Sequence, residues 1–414
     1  MERYDYLIIG GGIAGTTAAE TLKREEPAAR VAIISDEPCP LYSRILLSKP
    51  NFFLGKVPFE TIWMRKPERY AEQGIDFMSG RRAERLSVGD HAVTLDDGTE
   101  LGFGQLLLAT GCPARKLDVP GLSGKVGVSY MKTVNDARTV MAEIRRAKRA
   151  VVVGAGFVSF EMCDLLRQAG LEVEVMVRET YFWEPVLDRT AGQLIEQSLT
   201  EGGVRVRLKS EVAEVLGNDR VEGVRLKDGT EIDCDLLVIG IGVQFDGSWL
   251  ERAGVAVGRG VRTDEHLKTN LDGIWAAGDV AELDDPAVGE PYICGTWLDA
   301  QEQGRTAALN MLGRNLSYRA VSSYTSHGFG LSLAFVGRIR CESRRLFPRG
   351  RVESGSYGCI VVRNGRSVVG GFLINRGSDL APIKAAIEGE VDISGQMALL
   401  SDPESDLTTL LPKK

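Results

Sequence analysis

The chain has 414 residues, 43 % hydrophobic and 26 % charged, a balance that excludes a disordered or fibrous protein and suggests two to three globular domains. A net charge of −7 offers no basic field to a phosphate backbone, so nucleic acid is not an expected partner, and no apolar run reaches the ~18 residues of a membrane helix. Residues 1–6 lead straight into a strand with no charged-then-apolar leader, so the expected location is cytoplasmic. Glycine is in excess, at 48 residues against a usual ~7 %, which calls for tight turns or phosphate-cradling loops.

The first unit reads as a buried strand over 6–9, a glycine loop over 10–15, a helix over 16–24 and a returning strand over 31–34. The pattern recurs 144 positions on, with a strand over 150–153, Gly154-Ala155-Gly156, a helix over 160–168 closed by Gly170, and a strand over 172–177. A second echo supports duplication. Asp97-Gly98 precedes an apolar strand over 105–109, and Asp228-Gly229 precedes one over 235–239. Each Asp-Gly predicts a hairpin turn. Each late strand runs into a glycine motif, Ala109-Thr110-Gly111 or Gly240-Ile241-Gly242. From about residue 318 the pattern changes to short strands over 331–336, 358–363 and 367–373, then one helix near 379–388. This predicts a smaller α+β domain, with a polar and mobile tail from Ser401.

Gly10-x-Gly12-x-x-Gly15 stands between a strand and a helix, the context a dinucleotide site requires. The first glycine permits the turn, the second admits a pyrophosphate to the helix N-terminus, and the third allows close helix–strand packing. Ala14 lies within this loop. Ser35 occupies the place where an acid would hold a ribose hydroxyl, so Asp36 and Glu37 are both candidates. Gly154-x-Gly156-x-x-Ser159 repeats the logic, with Phe157 and Val158 inside the motif. After its second strand stands Val177-Arg178, an apolar residue in place of an acid. Arg178 would suit the 2′-phosphate of NADPH, or would discriminate little. Ala277-Gly278-Asp279 places an acid just past a strand end, where it can accept hydrogen bonds from a ribityl chain.

The cysteines, Cys39, Cys112, Cys163, Cys234, Cys294, Cys341 and Cys359, form no Cys-x-x-Cys pair. A local redox dithiol, a zinc ribbon and a chain-borne ferredoxin-type cluster are thereby excluded. The three histidines, His91, His266 and His327, do not cluster, and no metal site is expected. Cys112, Cys163 and Cys234 read as small apolar fillers.

The chain resembles the FAD-dependent pyridine nucleotide-disulfide oxidoreductase superfamily. Within it, the cysteine-free ferredoxin/rubredoxin reductase branch matches best, a branch similar to apoptosis-inducing factor and to nitrite reductase flavin domains. The resemblance covers about residues 5–315. It is carried by Glu37-Pro38-Cys39-Pro40-Leu41-Tyr42-Ser43-Arg44-Ile45-Leu46-Leu47-Ser48-Lys49, Ala109-Thr110-Gly111 with Arg115, Ile239-Gly240-Ile241-Gly242, Thr263-Asp264-Glu265-His266-Leu267-Lys268-Thr269, Ala277-Gly278-Asp279 and Trp297-Leu298-Asp299-Ala300-Gln301-Glu302-Gln303-Gly304. It implies an α/β fold with two Rossmann-like domains, FAD-binding (1–115 and 245–318) and NAD(P)-binding (116–244), plus a smaller α+β C-terminal interface domain (319–414). Pro120-Gly121 and Val243-Gln244 would mark the crossings.

The resemblance further implies that Lys49 lies beside the flavin and pairs with Glu161. A cation near the ring stabilises its reduced, anionic form, and a carboxylate holds that cation in place. Arg44 and Arg115 would support the FAD phosphates or adenosine end, and Trp297 would open a helix facing the flavin. Ala83, Ala109, Thr110, Gly111, Gly242 and Gly278 complete the implied cofactor contacts.

The expected activity is hydride exchange between NAD(H) or NADP(H) and FAD, with single electrons passing between FAD and an iron–sulfur protein or subunit. The chain would act as a homodimer or within a hetero-oligomeric redox complex. The stretch Ser322-Ser323-Tyr324-Thr325-Ser326-His327-Gly328-Phe329-Gly330 departs from the aromatic, acidic stretch of many such reductases, which leaves the partner open. Two alternatives stand beside this reading. One is a single-cysteine NADH oxidase, peroxidase or CoA-disulfide reductase using Cys39, although the residues around Cys39 follow the ferredoxin-reductase pattern. The other is a non-catalytic redox-sensing module.

Overall fold

The computed structural model describes residues 1–285, 290–319, 321–341 and 343–412. The chain forms two compact units, one of Met1–Ser43, Glu60–Pro113 and Val243–Ser322, the other of Arg44–Phe59, Ala114–Gly242 and Ser323–Lys414. The expected 116–244 and 319–414 segments thus group together, with residues 44–59 joining them. Unit boundaries fall at Pro113 and Gly242. Pro120-Gly121 lies inside the second unit, where Val215 N donates to Pro120 O at 3.0 Å.

In the first unit, parallel strands Ile75–Ser79, Val31–Ser35, Glu2–Ile9 and Glu100–Leu108 lie side by side in that order. The nine-residue strand Glu100–Leu108 is shared along its far edge. Its first half pairs with the antiparallel hairpin strand Ala92–Leu95, and its last residues pair in parallel with Ile274–Ala276. Strands Glu2–Ile9 and Val31–Ser35 are rich in Ile, Leu and Val, and their C-terminal halves are buried, as strands covered on both faces must be. Helices Ile13–Glu25 and Trp297–Met311 pack together closely enough that a Cβ on Gly304 would lie 2.2 Å from Ala14 O.

The second unit repeats the plan with Val204–Arg207, Glu172–Met176, Arg149–Val153, Leu236–Ile239 and Val128–Ser129 in one parallel sheet. The antiparallel insertion here is a separate three-stranded sheet. The duplication extends to hydrogen bonds. Asp97 accepts from Thr99 N at 3.0 Å, and Asp228 from Thr230 N at 2.9 Å. These bonds hold both carboxyls below the usual range.

The C-terminal sheet is antiparallel, in the order Ser323–Gly328, Leu331–Gly337, Ser367–Ile374, Ser356–Arg363, Arg344–Arg351. The tail corrects an expectation. Although most of the segment is exposed, residues 402–412 are anchored to the domain by Leu407 and Leu410, which are buried. The reason is Arg349, itself buried, whose guanidinium donates to Asp379 Oδ2 at 2.9 Å, Leu399 O at 3.0 Å and Ser405 Oγ at 2.9 Å. Residues 413–414 lie outside the described residues.

Candidate active site

Both glycine loops have the geometry their sequence predicts. Gly10 has φ +123°, and a Cβ there would lie 2.0 Å from Ala109 O. Gly15 meets Gly10 O at 2.0 Å in the same way, while a Cβ on Gly12 would meet nothing within 4 Å. In the second loop Gly154 has φ +117° and abuts Gly240 O at 2.3 Å, and Gly156 is open. Ser159 takes the third position because Gly154 and Gly240 flank its hydroxyl without side chains. The helices begin earlier than expected, at Ile13 and Phe157, with Gly12 and Gly156 as their N-caps. Gly15 is therefore a helical residue, kept by its close approach to Gly10 despite poor helix propensity. Neither helix has a capping side chain or an acid in its first turn, so its leading N–H groups remain available to an anion.

The other candidates of the first unit group around the strand ends. Ser35 closes its strand buried, Asp36 is exposed, and Glu37 is half-buried with Tyr42 Oη donating to it at 2.6 Å. Thr110 and Gly111 follow the strand that Ala109 N caps through Ile9 O, at 2.8 Å. Ala83 sits in the core on a hairpin strand. Gly278, at φ +82°, donates its N–H to Gln303 Oε1 at 2.7 Å, and Cys112 Sγ donates to Asp279 O at 3.2 Å. Gln303 is fully buried, yet its Nε2 finds no acceptor among the described residues. Trp297 opens its helix as expected, capped by Thr296, whose hydroxyl accepts from Asp299 N at 3.3 Å.

In the second unit the structure joins the two residues expected to act together. Lys49 Nζ forms an ion pair with Glu161 Oε1, with side chains 32 % and 11 % exposed. Lys49 follows the 3-10 turn Arg44–Ser48, and Glu161 lies on the first turns of the Phe157–Gln168 helix. Two residues not foreseen complete the cluster. Ser48 Oγ donates to Glu161 Oε2, and Ser326 Oγ donates to Oε1 at 2.7 Å. One turn on, burial raises the Asp164 carboxyl above its ordinary range. Arg44 donates to Lys132 O at 2.9 Å, Arg115 is exposed, and Gly242 accepts from Arg115 N at 3.0 Å. Arg178 is exposed and paired with Glu179 at 2.8 Å. Phe157 packs edge-on against Trp183, Tyr324 and Phe335, with centroids 4.3 to 5.0 Å away, and Val158 is half-buried beside it.

All seven cysteines are thiols. Burial pushes Cys234 up to about 12 and raises Cys163 as well, as inert core thiols require. Among the described residues no His, Cys, Asp and Glu cluster could hold a metal.

Two open glycine turns at helix N-termini, an orphaned amide beside Gly278 and a half-buried Lys–Glu pair without a dithiol fit a two-dinucleotide flavoprotein. Residues 4–304 match the family described as pyridine nucleotide-disulphide oxidoreductase, and the chain belongs to that family. It is 32 % identical over 99 % of both chains to the 5,5′-dehydrodivanillate O-demethylase ferredoxin reductase subunit of Sphingobium sp.. Among solved structures, it resembles the ferredoxin reductase for the CYP199A2 system from Rhodopseudomonas palustris, at TM-score 0.89 and 27 % identity over 98 % of this chain and 99 % of that one. The reductase of a covalent putidaredoxin reductase–putidaredoxin complex shares the fold, at TM-score 0.92 and 24 % identity over 99 % and 98 % of the two chains. The protein is an FAD-dependent NAD(P)H oxidoreductase.

Proposed function

We propose that this chain is the flavin reductase of an iron–sulfur electron-transfer system, exchanging hydride with NAD(P)(H) and single electrons with an iron–sulfur protein or subunit. FAD supplies the chemistry that no side chain performs, taking an electron pair and parting with single electrons. Gly10, Gly12, Ala14 and Gly15, with Asp36 or Glu37, Ala83, Ala109 to Gly111, Gly278 and Asp279, would hold it. Gly154, Gly156, Phe157 and Val158 would hold the nicotinamide dinucleotide. Lys49 would place a positive charge beside the ring and Glu161 would fix that lysine. Arg44, Arg115 and Trp297 would support the flavin, and Gly242 would border the nucleotide.

The observation that carries this reading is the Lys49–Glu161 ion pair, formed between segments 112 residues apart in a chain without a redox dithiol. Arg178, exposed and tied to Glu179, favours weak discrimination between NADH and NADPH. No helix among the described residues is long and apolar enough to cross a membrane, and a cytoplasmic location fits this role. Domains over 1–115 with 245–318, 116–244 and 319–414 suit the three tasks of holding FAD, holding nucleotide and meeting the partner.

The test is anaerobic. The FAD-loaded protein should bleach with NADH or NADPH and then reduce a [2Fe–2S] ferredoxin in steady turnover. Turnover with peroxide or a disulfide alone, lost in Cys39→Ser, would replace this reading with the thiol mechanism.

A further inference from the structure

Three donors converge on the Glu161 carboxylate from segments far apart in sequence. Lys49 and Ser48 come from the residues around the 3-10 turn, and Ser326 comes from the edge strand Ser323–Gly328 of the antiparallel sheet, 165 residues away. We infer that Ser326, seconded by Ser48, is a positioning residue for the Lys49–Glu161 pair. The C-terminal sheet would then complete the redox site as well as serve the partner. This rests on the assignment of Lys49 and Glu161 to the flavin made above.

The geometry gives Ser326 what a positioning group needs. It is 1 % exposed, and its strand is registered on Leu333, so the hydroxyl is fixed in space. The strand is held to the glutamate's helix and to its neighbours at further points. Phe329 N donates to Asp164 Oδ1 at 3.2 Å, and Ser198 Oγ donates to Phe329 O at 2.6 Å. A Cβ on Gly328 would already lie 3.0 Å from the Phe160 ring. Lysine and glutamate side chains each have several soft torsions, so a salt bridge alone leaves the ammonium free to wander. Hydroxyls on both carboxylate oxygens remove that freedom, because each hydrogen bond to a charged group is strong and directional. Oε1 is shared by Lys49 and Ser326, so the serine also moderates how much of the carboxylate's charge the lysine receives. The neighbours Thr325 and His327 are exposed, so a change at Ser326 touches the pair and not the surface.

Ser326→Ala and Ser326→Thr separate positioning from folding in the FAD-loaded protein. In Ser326→Ala, flavin reduction at saturating NAD(P)H should slow about tenfold, the loss of one charge-assisted hydrogen bond. The flavin midpoint potential should move negative, while KM and the thermal midpoint hold. Ser326→Thr, which keeps the hydroxyl, should restore rate and potential, and Ser48→Ala should show the same signature as Ser326→Ala. Wild-type rate and potential in Ser326→Ala would overturn the proposal. So would a loss that tracks a fallen thermal midpoint and that threonine does not rescue. If Lys49→Met and Glu161→Gln left reduction by NAD(P)H unchanged, the underlying reading would fall, and this proposal with it.

Discussion

Gly12 and Gly15 stand three residues apart, and an alanine at each should fail for opposite reasons. Gly12 has φ −75° and ψ −171°, extended backbone open to any residue, and its Cβ would meet nothing within 4 Å. As an N-cap, Gly12→Ala loses roughly 0.5–1 kcal/mol. It recovers about 0.4–1 kcal/mol from the less flexible unfolded chain. The apoprotein should therefore be about as stable as wild type. The methyl nevertheless occupies the space a pyrophosphate needs. Displacing the phosphate from one backbone N–H removes about 1.5–3 kcal/mol, or roughly ten- to a hundredfold in FAD affinity. Gly15→Ala puts a methyl 2.0 Å from Gly10 O, a backbone atom that cannot swing aside. Overpacking costs about 1–3 kcal/mol and outweighs the ~1 kcal/mol gained in helix propensity. Thermal unfolding of the apoproteins and titration with FAD read both effects. The reasoning is refuted if Gly12→Ala lowers the apoprotein midpoint as far as Gly15→Ala does, or if it binds FAD like wild type.

Gly156→Ala, at the matching open position of the second loop, should raise KM for NAD(P)H about tenfold while the protein stays yellow; loss of flavin would contradict the division of labour. Cys39→Ser should retain NAD(P)H:dye and ferredoxin reduction within about twofold in steady-state assays, since no step is assigned to its thiol. Arg349→Leu should destabilise the last sheet by about 3 kcal/mol, the lower end for a broken buried pair because Arg376 still donates to Asp379 at 2.7 Å. Limited proteolysis should then release residues 402–412, and a tail as resistant as in wild type would reject Arg349 as its anchor.

Much of the candidate site's backbone was legible because its signals are local. A φ of +123° or +117° beside an approaching carbonyl admits only glycine, so Gly10 and Gly154 announce their loops whatever surrounds them. Asp-Gly turns and apolar strands likewise depend on a few neighbouring residues, which is why the duplicated plan could be read directly. Both helices start three residues before the sequence predicts; in the first, Ala14 and Gly15 read as loop, and only packing against Gly10 explains a glycine inside that helix. The family resemblance points to Lys49 and Glu161, but not to Ser326. A serine in a strand has no period and no characteristic spacing, and its partner lies 165 residues off. Its place against Glu161 depends on how the Ser323–Gly328 strand seats on the Phe157–Gln168 helix, and Arg349 captures the tail in the same way. Backbone conformation, turn chemistry and strand identity were therefore written in the order of residues, because steric limits act over one or two positions. The third donor on the carboxylate and the fate of the last eleven described residues were decided only by tertiary packing, because a hydrogen bond between distant segments exists only once burial has brought them together.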